Sequence, residues 1–325
     1  GAGRIGKLHG RTLAQLVPNA ALAAVVDVNA DAARALAAEL GVRARTAEEA
    51  LADRGVDAVA ICSATDTHAP LIIQAARAGK HIFCEKPLAA DLGSIDEALA
   101  AVARAGVQLM VGFNRRFDPN AARIKAAIDS GEVGTPHMLL ISSRDPAPPP
   151  IAYVKVSGGM FFDMTIHDFD MARFLLGDVT EIYAAAGVLV DPAIGRAGDV
   201  DTAMITLRFA SGAIGVIDNS RKAVYGYDQR IEVFGSKGSA RSENLFPNAV
   251  TLSTDRAVAR DLPLNFFIER YTASYQAELE AFARSVAEGK APPVTGADGR
   301  APVVMAKAAA LSHRENRPVR LAEIG

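Results

Sequence analysis

The sequence predicts an α/β domain built on a Rossmann-type, doubly wound parallel sheet, followed by an α+β domain with a large, open, mostly antiparallel sheet. Three observations predict it. A glycine fingerprint opens a helix at Gly1–Gly6. Strand-length apolar runs then alternate with helical periods through about residue 115. From about residue 120 the alternation gives way to successive strands joined by short turns such as SG and SKG.

The first element is the helix that follows GAGRIGKLHGRTLA, in which Gly1, Gly3 and Gly6 fit G-x-G-x-x-G, with Arg4 and Ile5 between them. In a dinucleotide site the first glycine permits the tight turn and the second lets a pyrophosphate approach the backbone. The third lets helix and strand pack closely. The helix N-terminus offers amide groups and the positive dipole end to the phosphates. The strand that ordinarily precedes such a fingerprint is missing from these residues, so the expected sheet lacks its first strand. The run LAAVVDVNA reads as the next strand and ends in Asp27, 21 positions after Gly6. A carboxylate there accepts from ribose hydroxyls and repels a 2′-phosphate, which points to NAD rather than NADP.

The alternation continues with the helix NADAARALAAEL, the strand VDAVAICSA and the helix HAPLIIQAARAGK closed at Gly79. HIFCEKP is a strand, SIDEALAAVARAGV a helix and QLMVGFN a strand. Ligands of such sheets lie beyond the carboxyl ends of the strands. Those ends carry Ser63–Thr67, Glu85–Pro87 and Asn114–Arg116, and Ser63, Thr65, His68, Glu85 and Lys86 join Asp27 as candidate cofactor contacts. Lys86 leaves an apolar strand directly before Pro87, which holds it extended at the rim. An X-Pro bond there is one that can be cis. A surface salt bridge at Glu85 is the plainer alternative.

After the helix AARIKAAIDSGEVG and the strand PHMLLISSRD, the loop PAPPP is expected on the surface. GGMFFDMTIHDFDMARFLLG reads as one helix ended by Gly177. On it Asp163 and His167 are at i and i+4, with Asp170 three positions on. Met160, Phe161, Ile166, Phe169, Phe174 and Leu175 supply a buried face, while Asp163 and His167 turn to a cleft. Asp170 is expected to be structural and Asp168 a solvated charge. Strands follow from EIYAAAGVLV to AVTLST, and helices at 269–288 and 299–312 close the chain. The open sheet needs cover on its second face from a helix or another subunit. The division is a cofactor domain over 1–115 and a substrate and oligomerisation domain over 116–325, the last helix packing back on the first.

The 325 residues, 50% hydrophobic and 22% charged with net charge −2, describe an ordinary globular chain. No basic patch suggests nucleic acid, and no apolar run reaches membrane-spanning length. Cys62 and Cys84 read as buried thiols in a reducing compartment, and no secretory signal is visible, which together imply a cytoplasmic protein.

The fingerprint, Asp27, GKHIFCEKP, GGMFFDMTIHDFD and DGRAPVVMAKAAALS together resemble the Gfo/Idh/MocA family of NAD(P)-dependent oxidoreductases over essentially the whole chain. VYGYDQRIEVFGSKG and GFNRRFDP are similar to its inositol dehydrogenases. The resemblance implies hydride transfer from a cyclic polyol, myo-inositol first, to NAD. It implies that Lys86 bonds the reacting hydroxyl, His167 is the general base and Asp163 contacts substrate hydroxyls. Arg115 and Tyr227 would shape the substrate pocket, Lys86 and the Asp163/His167 pair would meet across a cleft, and the assembly would be a tetramer or dimer. Where the family often has histidine or asparagine, near residue 145, this chain has Arg144 and Asp145.

Three other readings stand beside this one. Asp163, His167 and Asp170 have a spacing that suits a divalent ion, but Lys86 already supplies an electrophile, so no metal is expected. A sensor protein of this fold without turnover would be expected to lose the lysine or the histidine. A sugar or scyllo-inositol dehydrogenase would share every motif above.

Overall fold

The structure, a computed structural model, describes residues 1–325. They form two compact units. The first comprises Gly1–Phe117 and Ala273–Val303, the second Asp118–Thr272 and Val304–Gly325.

The first unit alternates helix and strand: α1 (Arg4–Gln15), β1 (Ala24–Val25), α2 (Ala30–Leu40), β2 (Arg43–Ala44), α3 (Ala47–Ala52), β3 (Ala58–Ile61), α4 (Thr65–Arg77), β4 (His81–Glu85), α5 (Leu92–Ala105) and β5 (Leu109–Gly112). All its strand pairs are parallel, β1 with β2 and β3-β4-β5 as a second group. The short β2 and α3 are elements the apolar periodicity did not mark. The fingerprint turn lies between the two groups: the Ala2 N–H donates to Asp27 Oδ2 at 2.6 Å, and a Cβ on Gly1 would meet the Cys62 carbonyl oxygen at 2.5 Å. Local chemistry fixes the helix ends. Asn29 caps α2, a Thr46–Glu49 capping box starts α3 and Asp91 caps α5. Ile72, Ile82, Phe83, Leu88, Ile95 and Met110 are wholly buried between helices and sheet.

The second unit contains α6 (Pro119–Asp129), β6 (Pro136–Arg144), α7 (Ile151–Val154), α8 (Met160–Asp163), α9 (Ile166–Leu176), β7 (Val179–Gly187) and α10 (Pro192–Arg196). Then come β8 (Thr202–Phe209), β9 (Ile214–Ser220), β10 (Asp228–Gly235), β11 (Gly238–Ser242), β12 (Thr251–Ser253) and β13 (Val258–Arg260). The helices α11 (Phe267–Glu288, kinked at Tyr271) and α12 (Gly296–Glu315) follow, and β14 (Val319–Arg320) ends the sheet. Seven strands pair in the order β11-β10-β6-β9-β8-β7-β14, parallel only at β6–β9. One face buries Leu139, Ile141, Ile205, Leu207, Ile217 and Val233 against Met160, Phe169, Leu175, Met305 and Ala309 of the helices. The other face leaves Met138, Leu140, Met204, Ile214 and Phe234 exposed.

Two expectations are corrected. The stretch 160–176 is not one helix: α8 stops at Asp163, and Met164 and Thr165 form a short joint before α9. Asp168 is not a solvated charge but fully buried, because Asn219 Nδ2 donates to its Oδ2 at 2.9 Å and so satisfies a carboxylate the helical pattern had placed outside.

Candidate active site

The first unit supplies a phosphate cradle. α1 starts at Gly3 with no side-chain cap and no acidic residue in its first turn, so its leading amides are not spent on a capping side chain. A Cβ on Gly6 would stand 1.9 Å from the Gly1 carbonyl oxygen, whereas one on Gly3 would meet nothing within 4 Å. The third glycine therefore closes the turn and the second leaves room beside it, which suits a pyrophosphate. Arg4 is exposed and Ile5 half-buried on the first helical turn.

Asp27 is held by amides on both oxygens, Ala2 N–H on Oδ2 and Asn29 N–H at 2.8 Å on Oδ1. Burial acts to raise its carboxyl, and the two amides outweigh that and hold it below the usual carboxylate range. It remains an anion with lone pairs left for hydroxyl donors. The next residue, Val28, is fully exposed and carries no positive charge for a 2′-phosphate.

The rim beyond β3 and β4 is tied together by His68. Its buried ring lies 2.8 Å from the Pro87 carbonyl through Nδ1 and 3.2 Å from the Ser63 carbonyl through Nε2. Ser63 also shares a hydrogen bond with Thr67 at 2.6 Å, and Thr65 is half-buried on the first turn of α4. Lys86 is half-buried, and its peptide to Pro87 is cis. Glu85 is no surface partner: it is 7% exposed, its Oε1 lies 2.6 Å from His9 Nε2, and its Oε2 accepts from the Lys86 N–H at 3.2 Å. Arg115 is buried in the short 3-10 turn Asn114–Phe117. Its neighbour Arg116 bonds Asp298 Oδ1 at 3.1 Å.

The second unit carries Asp163 and His167. Asp163 accepts from the Tyr153 hydroxyl at 2.8 Å and from Arg221 Nη1 at 2.9 Å. Arg221 is 2% exposed, and its Nη1 also lies 3.7 Å from Asp145. Burial works against that guanidinium's charge, but the carboxylates of Asp163 and Asp145 outweigh it and keep it charged. His167 is half-buried at the start of α9, between the fully buried Ile166 and Asp168. The joint is pinned to β9: Thr165 donates to Asn219 Oδ1 at 2.6 Å, and Asn219 Nδ2 bonds Asp168 and the Ser143 carbonyl. That fixes the backbone on both sides of His167.

Tyr227 is buried, its ring edge-on to Tyr271 at 6.1 Å. Arg144 and Asp145 part company. Arg144 lies on the open face of the sheet, bonding Asp218 at 2.6 Å and the Tyr225 hydroxyl at 2.9 Å, while Asp145 turns to Arg221. Sequence reasoning missed Arg221, Tyr153 and Asn219. A charged residue directly after β9, in SRKA, was the available signal for Arg221.

Comparison with known proteins gives a consistent picture. Residues 1–113 match the family model described as an oxidoreductase family with an NAD-binding Rossmann fold, and residues 121–241 match the GFO/IDH/MocA C-terminal domain. The chain is 49% identical over 327 aligned positions to a myo-inositol 2-dehydrogenase of Thermotoga maritima, covering 100% of this chain and 98% of the relative. It is 47% identical to an inositol 2-dehydrogenase of Rhizobium meliloti, covering 99% and 98%. Among solved structures, a probable dehydrogenase from Thermotoga maritima superposes with TM-score 0.98 at 49% identity, covering 100% of this chain and 98% of that one. A scyllo-inositol dehydrogenase from Lactobacillus casei with bound NAD(H) and scyllo-inositol gives 0.92 at 28%, covering 99% and 97%.

Proposed function

We propose that this chain, which belongs to the GFO/IDH/MocA oxidoreductase family, is an NAD-dependent dehydrogenase that oxidises myo-inositol to 2-keto-myo-inositol. The observation that carries the substrate is the 49% identity, over the full chain, to a protein named for that reaction.

The nicotinamide of bound NAD supplies the hydride acceptor. The chain's own residues do the rest. The amides of α1 and the space beside Gly3 bind the pyrophosphate, and the Asp27 anion receives the ribose hydroxyls. Ser63, Thr65 and His68 shape the rim on which the cofactor lies. Lys86 places its ammonium against the reacting oxygen and stabilises the alkoxide that develops there. His167 takes the hydroxyl proton, since an imidazole ordinarily titrates near neutral pH. Asp163, fixed by Tyr153 and Arg221, presents a carboxylate to the substrate hydroxyls and favours the charged imidazole. Arg115 and Tyr227 bound the substrate pocket. The reading places the enzyme in the cytoplasm as a homo-oligomer.

The test is NADH formation by the purified protein with myo-inositol, scyllo-inositol, D-chiro-inositol, glucose, galactose and xylose, run in parallel with NADP. Preference for myo-inositol with NAD is expected. Turnover confined to scyllo-inositol or an aldose would overturn the substrate, and equal rates with NADP would overturn the role of Asp27.

A further inference from the structure

Behind the Glu85–Lys86–Pro87 turn, three titratable side chains that the mechanism does not use for chemistry converge inside the first unit. His9 comes from α1, Glu85 from the end of β4 and Glu278 from α11. They are 1%, 7% and 0% exposed. One nitrogen or carboxylate oxygen of each lies within 4.8 Å of those of the other two. His9 Nε2 and Glu85 Oε1 are 2.6 Å apart, and Glu85 Oε2 receives the Lys86 amide. Phe83 and Tyr275 close over the His9 ring edge-on, at 5.2 and 5.6 Å. Both oxygens of Glu278 and Nδ1 of His9 are buried without a hydrogen-bond partner.

Two carboxylates this close in a buried site do not both carry charge, so one of them holds a proton. Glu85 has two hydrogen-bonding neighbours, the His9 ring and the Lys86 amide. Glu278 has no donor to stabilise a charge, so it is the acid. Burial first, and then the charge of Glu85, push its carboxyl well above the ordinary range. The other titratable groups around it change nothing in this count. Tyr275 on α11 is a neutral phenol at ordinary pH, and Cys62 and Cys84 are thiols that burial pushes up.

We propose that Glu278 is a positioning residue for Lys86: as a neutral carboxylic acid it shares its proton with the His9–Glu85 pair and so fixes the carboxylate that receives the Lys86 amide. The spacing is within reach of a small side-chain rotation or one bridging water. A divalent ion would use the same three ligands, but around a tetrahedral ion two ligand atoms stand roughly 3.3 Å apart. The 2.6 Å contact of His9 with Glu85 is a hydrogen bond instead. This inference rests on the reading of Lys86 as a catalytic group.

The experiment has two arms. Infrared difference spectra of wild type minus Glu278→Gln, taken without substrate at about pH 8, are expected to show the C=O stretch of a protonated carboxyl; carboxylate bands alone overturn the proposal. In turnover, Glu278→Gln is expected to keep kcat within about threefold, while Glu278→Leu lowers kcat about tenfold or more with the Kd for NAD unchanged. A Glu278→Leu protein with wild-type kcat overturns the positioning role, as does one tightly bound divalent metal per chain that a chelator removes. Wild-type protein that turns over no polyol sinks the dehydrogenase reading instead, and the infrared band still decides the state of Glu278.

Discussion

At the residue scale the proposed chemistry rests on a lysine, an imidazole and a carboxylate, each held by neighbours rather than by its own element. Lys86→Ala and His167→Ala are each expected to lower kcat about a hundredfold or more while NAD still binds, measured by steady-state kinetics beside fluorescence titration. A variant with near-normal kcat removes that residue from the mechanism. Arg221 is the residue on which Asp163 depends, since it brings a buried positive charge 2.9 Å from that carboxylate. Arg221→Gln is expected to cost about 3 kcal/mol in urea denaturation, because it removes a buried guanidinium that faces both Asp163 and Asp145. An unmoved midpoint would mean that these carboxylates find another cation.

At the element scale, the fingerprint turn and the α8–α9 joint do the positioning. The turn admits no side chain at Gly6, where a Cβ would stand 1.9 Å from a carbonyl oxygen. Gly6→Ala is therefore expected to displace the start of α1, cost about 1–3 kcal/mol and weaken NAD at least tenfold, read by thermal melts and NAD titration. Unchanged NAD affinity would detach the turn from the cofactor. The joint shows the limit of periodicity. Asp163 and His167 keep the spacing of a helix, yet the helix breaks between them. Asp199 also receives the Met160 amide at 2.9 Å, which starts α8 where Gly159 adopts φ 88°.

At the scale of the whole molecule, charge sets the acid stability, and the proposed association falls to exposed apolar surface. Asp201 accepts the amides of Leu189, Val190 and Asp191 and the Thr202 hydroxyl. Burial raises its carboxyl, and those donors outweigh it and hold it low; Asp228 and Asp298 are also low, for the same balance against arginine partners. A carboxyl depressed in the folded state stabilises above its unfolded value, about pH 4, and loses that contribution as pH falls through the folded value. Glu278 has the opposite sign: its raised carboxyl costs stability as pH rises above the unfolded value. The urea midpoint is expected to fall steeply below about pH 4, and less steeply in Asp201→Asn. An equal slope in the variant would remove Asp201 from the account. The open face of the seven-stranded sheet aligns Phe234, Met138 and Ile214 in one cross-strand row, all exposed. Met138→Lys with Phe234→Lys is expected to reduce the mass found by light scattering. A wild-type monomer would refute the proposed oligomer.

The sequence alone determined the two fold classes, the glycine turn, Asp27 at a strand end, Lys86 before Pro87 and the Asp163–His167 spacing. Each is written in adjacent residues, through period, turn chemistry or a short motif. Only the tertiary structure decided that Asp168 is buried, that Glu85 faces inward, that Arg221 meets Asp163 and that Glu278 lies beside His9 and Glu85. Arg221 reaches Asp163 across 58 positions of sequence and His9 reaches Glu85 across 76. Burial and ion pairing are set by which distant segments pack together, and no local pattern encodes the partner that makes a buried charge tolerable.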